Sequence, residues 1–441
     1  MQNISAGDTA FVLMSAALVM FMVPGLALFY GGMVRSKNVL ATIMQSFIAL
    51  GIINILWILF GYSLAFGPDN FGLIGGLDWV GLRGVGLAPN PDYAATIPHQ
   101  AFMVFQAMFA IITPALITGA FAERIKFSSF LIFIVGWFVL VYIPVAHWVW
   151  GVGGWMREIG VLDFAGGIVV HASSGAAALA AALYVGKRRG FGTEPLLPHN
   201  LPLTIIGTGI LWFGWFGFNA GSALAAGGTA TNAFVTTHTA ATAATVSWVF
   251  IEWLKNGKPT MLGAATGSIA GLATITPAAG FVSPLAALAI GLTAGIACYY
   301  AVSLKFKLGY DDSLDVVGVH GVGGIIGSLA VGVFASTAVN EAVGNGLVFG
   351  NASLLGLQAL GVMVVVAFSF IISLILFKII DAVIGVRVSD EDELTGLDLS
   401  QHSEVGYDLS GLGSGSGGFI GSTAFISHPS SAASPLAEDR I

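Results

Sequence analysis

Two histidines, His171 and His320, stand deep inside long apolar segments, in DFAGGIVVHASSG and DVVGVHGVGG. A titratable side chain at membrane depth is costly and marks a pathway or a binding site. Each is followed by glycine four residues on (Gly175, Gly324) and lies a few residues after an aspartate, Asp163 or Asp315. The pattern reads as one device used twice, in two halves of a repeat. A protonated pair would be desolvated and mutually repelling, so the two rings are expected to be mostly neutral and to share at most one proton. Such a pair suits the passage of something small that gains or loses a proton. The alternatives are two separate histidines bonded to helix backbones, or a metal site. A stable metal site wants three or four ligands, and no Asp, Glu or Cys lies mid-span near either histidine. No cofactor, metal or catalytic residue is expected.

Aromatic residues form a second constellation. Phe105 and Phe109 are four apart and share one helix face. Trp150 closes an apolar run, and LWFGWFGFNAGSA carries Trp215, Phe218 and Ser222 among glycines. Ordinary helix packing accounts for each alone. Together, aromatic faces and a hydroxyl at an outer mouth can hold a small cation, each face contributing about 0.5–2 kcal/mol. Asp163 is expected to cap the helix bearing His171, and Asp311, Asp312 and Asp315 to do the same for the helix bearing His320.

These residues need a membrane to make sense. Of 441 residues 56% are hydrophobic and 9% charged, against about 25% charged in an average soluble domain. The 60 glycines suit helices packed backbone to backbone. One cysteine, Cys298, excludes an intrachain disulfide and a cysteine metal cluster. The net charge of −7 belongs to the tail, because residues 390–441 carry nine acidic residues and only Arg440. The balance gives no sign of a nucleic-acid partner. Residues 1–8 lack Lys and Arg, so the first apolar run is read as a retained helix rather than a signal peptide.

Apolar runs predict spans near 9–32, 39–66, 99–122, 128–150, 164–185, 201–225, 233–253, 260–277, 284–304, 314–336 and 351–378. The fold class is therefore an all-α polytopic membrane protein of eleven helices. Fourteen of the sixteen Lys and Arg fall on one side of these spans, with Arg83 and Arg157 opposite. That bias predicts an outside N-terminus and a cytoplasmic C-terminus. Spans one to five and six to ten form inverted repeats, with the site near the midplane and span eleven left over. Loop 67–98 reads as ordered turns. Residues 1–388 form the transmembrane domain and 389–411 a cytoplasmic tail, and the stretch 385–408 is expected to hold a defined structure through the apolar anchors Val386, Val388, Leu394, Leu397 and Leu399. Residues 412–441 are too rich in Gly, Ser and Ala to bury a core and read as disordered.

In order and spacing, DFAGGIVVHASSGAAALAAALYVGKRR, GFNAGSA, FAERIKF and DDSLDVVGVHGVGG resemble the ammonium transporter (Amt/Mep/Rh) family, bacterial Amt branch, over residues 9 to about 408. The resemblance implies a homotrimer in the cell inner (plasma) membrane, with one pore per subunit. It assigns Phe105, Trp150 and Ser222 to ammonium recruitment, Phe109 and Phe218 to a stacked gate, and His171 and His320 to the twin histidines. Trp215 becomes pore lining, and Asp163 a structural aspartate. The tail GVRVSDEDELTGLDLSQHSEVGYDLSG resembles the family's regulatory tail, which implies a PII-type signalling partner. Transport of ammonium or ammonia is the implied function, within nitrogen metabolism. The rival is an ammonium sensor that signals through the tail; no nucleophile–base arrangement points to an enzyme.

Overall fold

The computed structural model describes residues 4–407, and among the described residues the only strands are a hairpin of two two-residue strands, Asp69–Asn70 with Ile74–Gly75, in an otherwise mostly helical unit that ends at Gly406. Eleven main helices follow in order: α1 (Ala6–Met33), α2 (Ser36–Phe66), α3 (His99–Ala120), α4 (127–150), α5 (Gly167–Val185) and α6 (Leu201–Gly221). Then come α7 (Gly228–Asn256), α8 (Met261–Ile275), α9 (Pro284–Leu308), α10 (Val317–Phe334) and α11 (Ala352–Ile384). Two short helices, α12 (Asp390–Thr395) and α13 (Leu397–His402), end the described chain. The predicted spans coincide with these helices; α7 starts five residues earlier than expected, and α11 runs six further, to Ile384.

Among the described residues, nine helices are long and apolar enough by composition to cross a membrane; α7 and α8 are not. Helix α7 is rich in threonine, yet Thr236, Thr237, Thr242 and Thr245 each donate the hydroxyl to the carbonyl four residues back. Polar side chains that bond their own helix need nothing from lipid.

The repeat shows in the packing. Helices α1 and α6 lie antiparallel, with Gly207 against the Phe29 backbone and Gly214 against Met22. A Cβ at Gly207 would stand 2.3 Å from Phe29 N, so only glycine fits there. Helices α5 and α10 cross in the same manner, and each opens on a π-helical turn, Gly167–Ala172 and Val317–Gly321, that carries its histidine. Such wide turns recur at functional sites. The glycine after each histidine makes the crossing possible. A Cβ at Gly175 would fall 2.1 Å from Gly321 Cα, and one at Gly324 2.8 Å from His171 Cβ.

The charged groups gather at one end, called here the basic end. Arg188 meets Asp311 at 2.9 Å and Glu123 at 3.3 Å, and Arg35 meets Glu123 at 2.9 Å. Burial opposes ionisation of Glu123, but Arg188 and Arg35 hold its carboxyl below the usual range. The chain after α11 closes over this end. Lys126 N donates to Val386 O, Val388 N to Arg124 O, and Arg387 pairs with Glu393 at 2.7 Å. Val386, Val388 and Leu397 are buried as anticipated, whereas Leu394 and Leu399 are exposed and anchor nothing within this unit. Helices this short turn one narrow face inward, and Glu393 and Leu397 take it. The segment 408–441, which includes the stretch expected to be disordered, lies outside the described residues.

Candidate functional site

At the end opposite the charge network, a cavity of about 190 Å³ is lined by Tyr93, Gln106, Phe109, Trp150, Arg157 and Ser222, among others. Ser222 follows the last turn of α6 and donates its hydroxyl to Phe218 O at 2.9 Å, which leaves the oxygen lone pairs free to accept. Gln106 Oε1 is buried without a hydrogen-bond partner. Trp150 is fixed from both sides: its Nε1 donates to Asp163 O at 2.9 Å, and its carbonyl accepts from Arg157 Nη1 at 2.7 Å. Arg157 in turn lies 6.0 Å above the Tyr93 ring. An aromatic face beside two acceptor oxygens can take a small cation that donates hydrogen bonds.

Phe105 is not among the cavity-lining residues. It is fully buried behind Phe109, ring centroids 5.0 Å apart and edge-on. Gln106, Tyr93 and Arg157 are site residues that sequence reasoning missed. For Gln106 a signal existed, since it lies three residues before Phe109 on the same helix. Tyr93 comes from a loop and Arg157 from the four-residue helix Trp155–Glu158 in the connection before α5, whose courses the pattern of the long helices does not encode.

Phe109 and Phe218 close the cavity floor, with ring centroids 4.3 Å apart and both side chains buried. Beyond them lies a narrow cavity of about 10 Å³, the size of a single water site. Its walls include Leu26, Ile112, Leu211, Trp215, His171 and His320. The histidine rings stack at 5.2 Å with their planes 20° apart, and Nδ1 faces Nδ1 at 3.3 Å. In a neutral pair one imidazole must donate through Nδ1, leaving its Nε2 a bare acceptor. The other accepts at Nδ1 and carries its proton on Nε2. Trp215 stacks on His171 at 5.5 Å and donates Nε1 to Thr276 Oγ1 at 2.9 Å.

Asp163 organises the chain ahead of α5. Its two carboxylate oxygens accept from Gly166, Gly167, Ile168 and Val169 N at 2.7–3.0 Å. Burial pushes this carboxyl upward, and the four N–H donors oppose that. One residue thus positions both the Trp150 ring and the turn carrying His171.

The aspartates before α10 divide the work differently from the expectation of three caps. Only Asp312 caps, accepting from Val317 N at 2.7 Å. Asp311 is taken by Arg188, and Asp315, with φ +64°, pairs with Lys305. The counterpart of Asp163 is therefore Asp312, eight residues before its histidine, rather than Asp315. Among the described residues, no group of three or more His, Cys, Asp or Glu could hold a metal ion.

The Ammonium Transporter Family profile matches residues 10–407. An ammonium transporter of Bacillus subtilis is 54% identical over 402 residues, covering 91% of this chain and 98% of that protein. Ammonium transporter Amt1 of Archaeoglobus fulgidus is 52% identical over 403 residues, covering 91% of this chain and all of that protein. The crystal structure of Saccharomyces cerevisiae Mep2 superposes with a TM-score of 0.82 at 36% identity, over 88% of this chain and 91% of Mep2. A structure described as a sensor Amt protein gives 0.83 at 32% identity, over 90% of this chain and 98% of its own.

Proposed function

This chain belongs to the ammonium transporter family, a family of membrane transporters rather than enzymes, and we propose that it captures NH₄⁺ at Trp150, strips its proton at the Phe109–Phe218 gate and conducts NH₃ past His171 and His320. The observation that carries this reading is the change of chemistry across the gate: acceptor oxygens and aromatic faces on one side, a lumen of single-molecule width on the other. Moving a bare cation into such a lumen costs tens of kcal/mol by Born solvation. Trp150, Ser222 and Gln106 replace part of the hydration shell; Phe105 backs the gate ring. Neutral ammonia then slips between stacked rings, accepting from the Nε2–H of one imidazole and donating to the bare Nε2 of the other. Potassium has no proton to shed and stays outside. Trp215 keeps the lumen wall aromatic, and Asp163 holds the gate side in register.

On the same reading the basic end faces the cytoplasm across a plasma (inner) membrane, the working unit is a homotrimer, and the tail at 389–411 answers a PII-type partner in nitrogen metabolism. A sensor is the second reading, favoured by the likeness to the sensor Amt protein and by the chain after α11 lying against the basic end. Reconstituted liposomes separate the two, with ammonium-elicited current and pH-linked flux measured in parallel. Specific turnover is expected; saturable binding without flux would favour the sensor. His171→Ala and His320→Ala each remove a hydrogen bond from the path, expected to lower flux about tenfold or admit K⁺. Wild-type flux with K⁺ still excluded in both folded variants would end the twin-histidine role.

A further inference from the structure

Asp312 is 1% exposed, yet its Oδ1 has no hydrogen-bond partner, while its carboxylate is met by the backbone N–H groups of Val317, at 2.7 Å from Oδ2, and of Val316. A buried carboxylate oxygen left unsatisfied calls for a reason. Asp163 shows what a purely structural cap looks like at the equivalent position: four donors and neither oxygen spare. Asp312 itself lines neither of two nearby spaces, but its neighbours reach both: Tyr30, on which its charge acts, follows Phe29 of one, and Lys305, which donates to its carbonyl, lines the other. The first is the lumen, lined by Phe29 and by Leu116, whose carbonyl accepts from Tyr30 Oη at 3.0 Å. The second is a cavity of about 580 Å³ at the basic end, lined by Ser313, Leu314, Asp315 and Lys305 among others. Leu314 N donates to Gly119 O, which ties the two walls together.

We propose that Asp312 is the proton-exchanging carboxyl at the basic-end mouth of the lumen. It gives a proton to ammonia as it leaves and recovers one from water in the 580 Å³ cavity. The inference rests on the reading that neutral ammonia crosses the lumen. In the step, the carboxyl O–H bond breaks, an N–H bond forms, and carboxylate and ammonium result; hydronium or water then restores the carboxyl. The transfer runs downhill because a carboxylic acid is much the stronger acid. The groups around Asp312 tune it. Burial raises its carboxyl to about 6, Lys305 opposes and Asp315 adds to the rise. Lys305 Nζ also donates to Asp312 O at 2.8 Å. Tyr30 from α1, Arg124 from the α3–α4 connection and Tyr310 complete the titratable groups within electrostatic reach. The sign follows: the donor form dominates below pH 6 and empties as the pH at the basic end rises above it.

The test uses the full-length chain in liposomes, with ammonium-driven flux recorded while pH is varied on the basic-end side alone. Wild type should show an inflection near pH 6. Asp312→Asn should abolish it and lower flux about tenfold or more, whereas Glu194→Gln, on the wall of the 580 Å³ cavity, should keep it. An unchanged profile in Asp312→Asn overturns the proposal. Should that variant fail to fold, infrared difference spectra of wild type decide. Ammonium should deplete a protonated-carboxyl band that titrates near pH 6, and no such band overturns the assignment. Absence of flux in wild type would instead defeat the transport reading beneath it.

Discussion

The two halves of the repeat place an aspartate eight residues before a histidine, but they surround it differently. Ahead of α5, Gly166 takes φ +116° and folds the chain around Asp163, so that four successive amides converge on its carboxylate. Ahead of α10 the turn is made by Asp315 instead, and the neighbouring carboxylates are claimed by Arg188 and Lys305. Asp312 is left with the amides of Val317 and Val316 and a spare oxygen. The two segments share the π-helical turn and the glycine crossing, while their hydrogen bonds differ. The end with the saturated aspartate meets the aromatic cavity; the end with the unsaturated one meets the charge network.

The difference between the caps is most exposed to thermal unfolding in detergent. Asp163→Asn turns an amide group toward two of the four donors, so it should cost roughly 2–6 kcal/mol, about 1–3 for each stranded buried donor. Asp312→Asn keeps the bond from Val317 N and should cost less than about 1 kcal/mol. Equal losses would mean that the two caps do the same job.

A smaller effect distinguishes the two mouths. Trp150→Leu and Ser222→Ala remove a ring face and an acceptor at the aromatic cavity, so each should raise the half-saturating ammonium concentration about 2–30-fold, equivalent to 0.5–2 kcal/mol. The pH inflection assigned to Asp312 should not move. A double variant with an unaltered concentration dependence would strike the capture site from this account.

The smallest effect concerns the chain after α11. Truncation after Gly385 removes the buried Val386, Val388 and Leu397 and the Arg387–Glu393 pair, and should lower initial uptake several-fold or abolish its regulation. Truncation after Gly411 should leave uptake within about a factor of two of wild type. Equal, wild-type rates in both at matched membrane abundance would make this segment a passenger and remove the case for a signalling partner.

Sequence periodicity disclosed the helices well because lipid forces long apolar runs, and even the threonine-rich α7 kept enough of them to be seen. The histidine pair was legible through its repeated glycine spacing, which the structure explains as backbone crossing. Asp315, the aspartate nearest to His320 in sequence, stands in for Asp312 as the counterpart of Asp163, and only its positive φ and its contact with Lys305 reveal that it belongs to the turn. Tyr93 reaches the cavity from a loop and Arg157 from a four-residue helix between spans, and Phe105 is buried behind Phe109. Those directions are set by tertiary packing, for which a single helix face carries no code. Leu394 and Leu399 show the same limit, since in a six-residue helix an apolar residue does not announce its side.

The crossing of Gly175 and Gly321 has a mechanical consequence. Main chain already rests on main chain there, so the two helices cannot draw closer, and parting them would open a void with no side chain to fill it. The histidine-bearing wall is in effect a fixed datum edge. The facing wall is made of side chains, Leu26, Ile112, Leu116 and Leu211 among them, whose rotamers and sizes can change. Any adjustment of calibre, whether by warming, by tension in the bilayer or by an engineer wanting passage for a bulkier amine, has to be made on the leucine side.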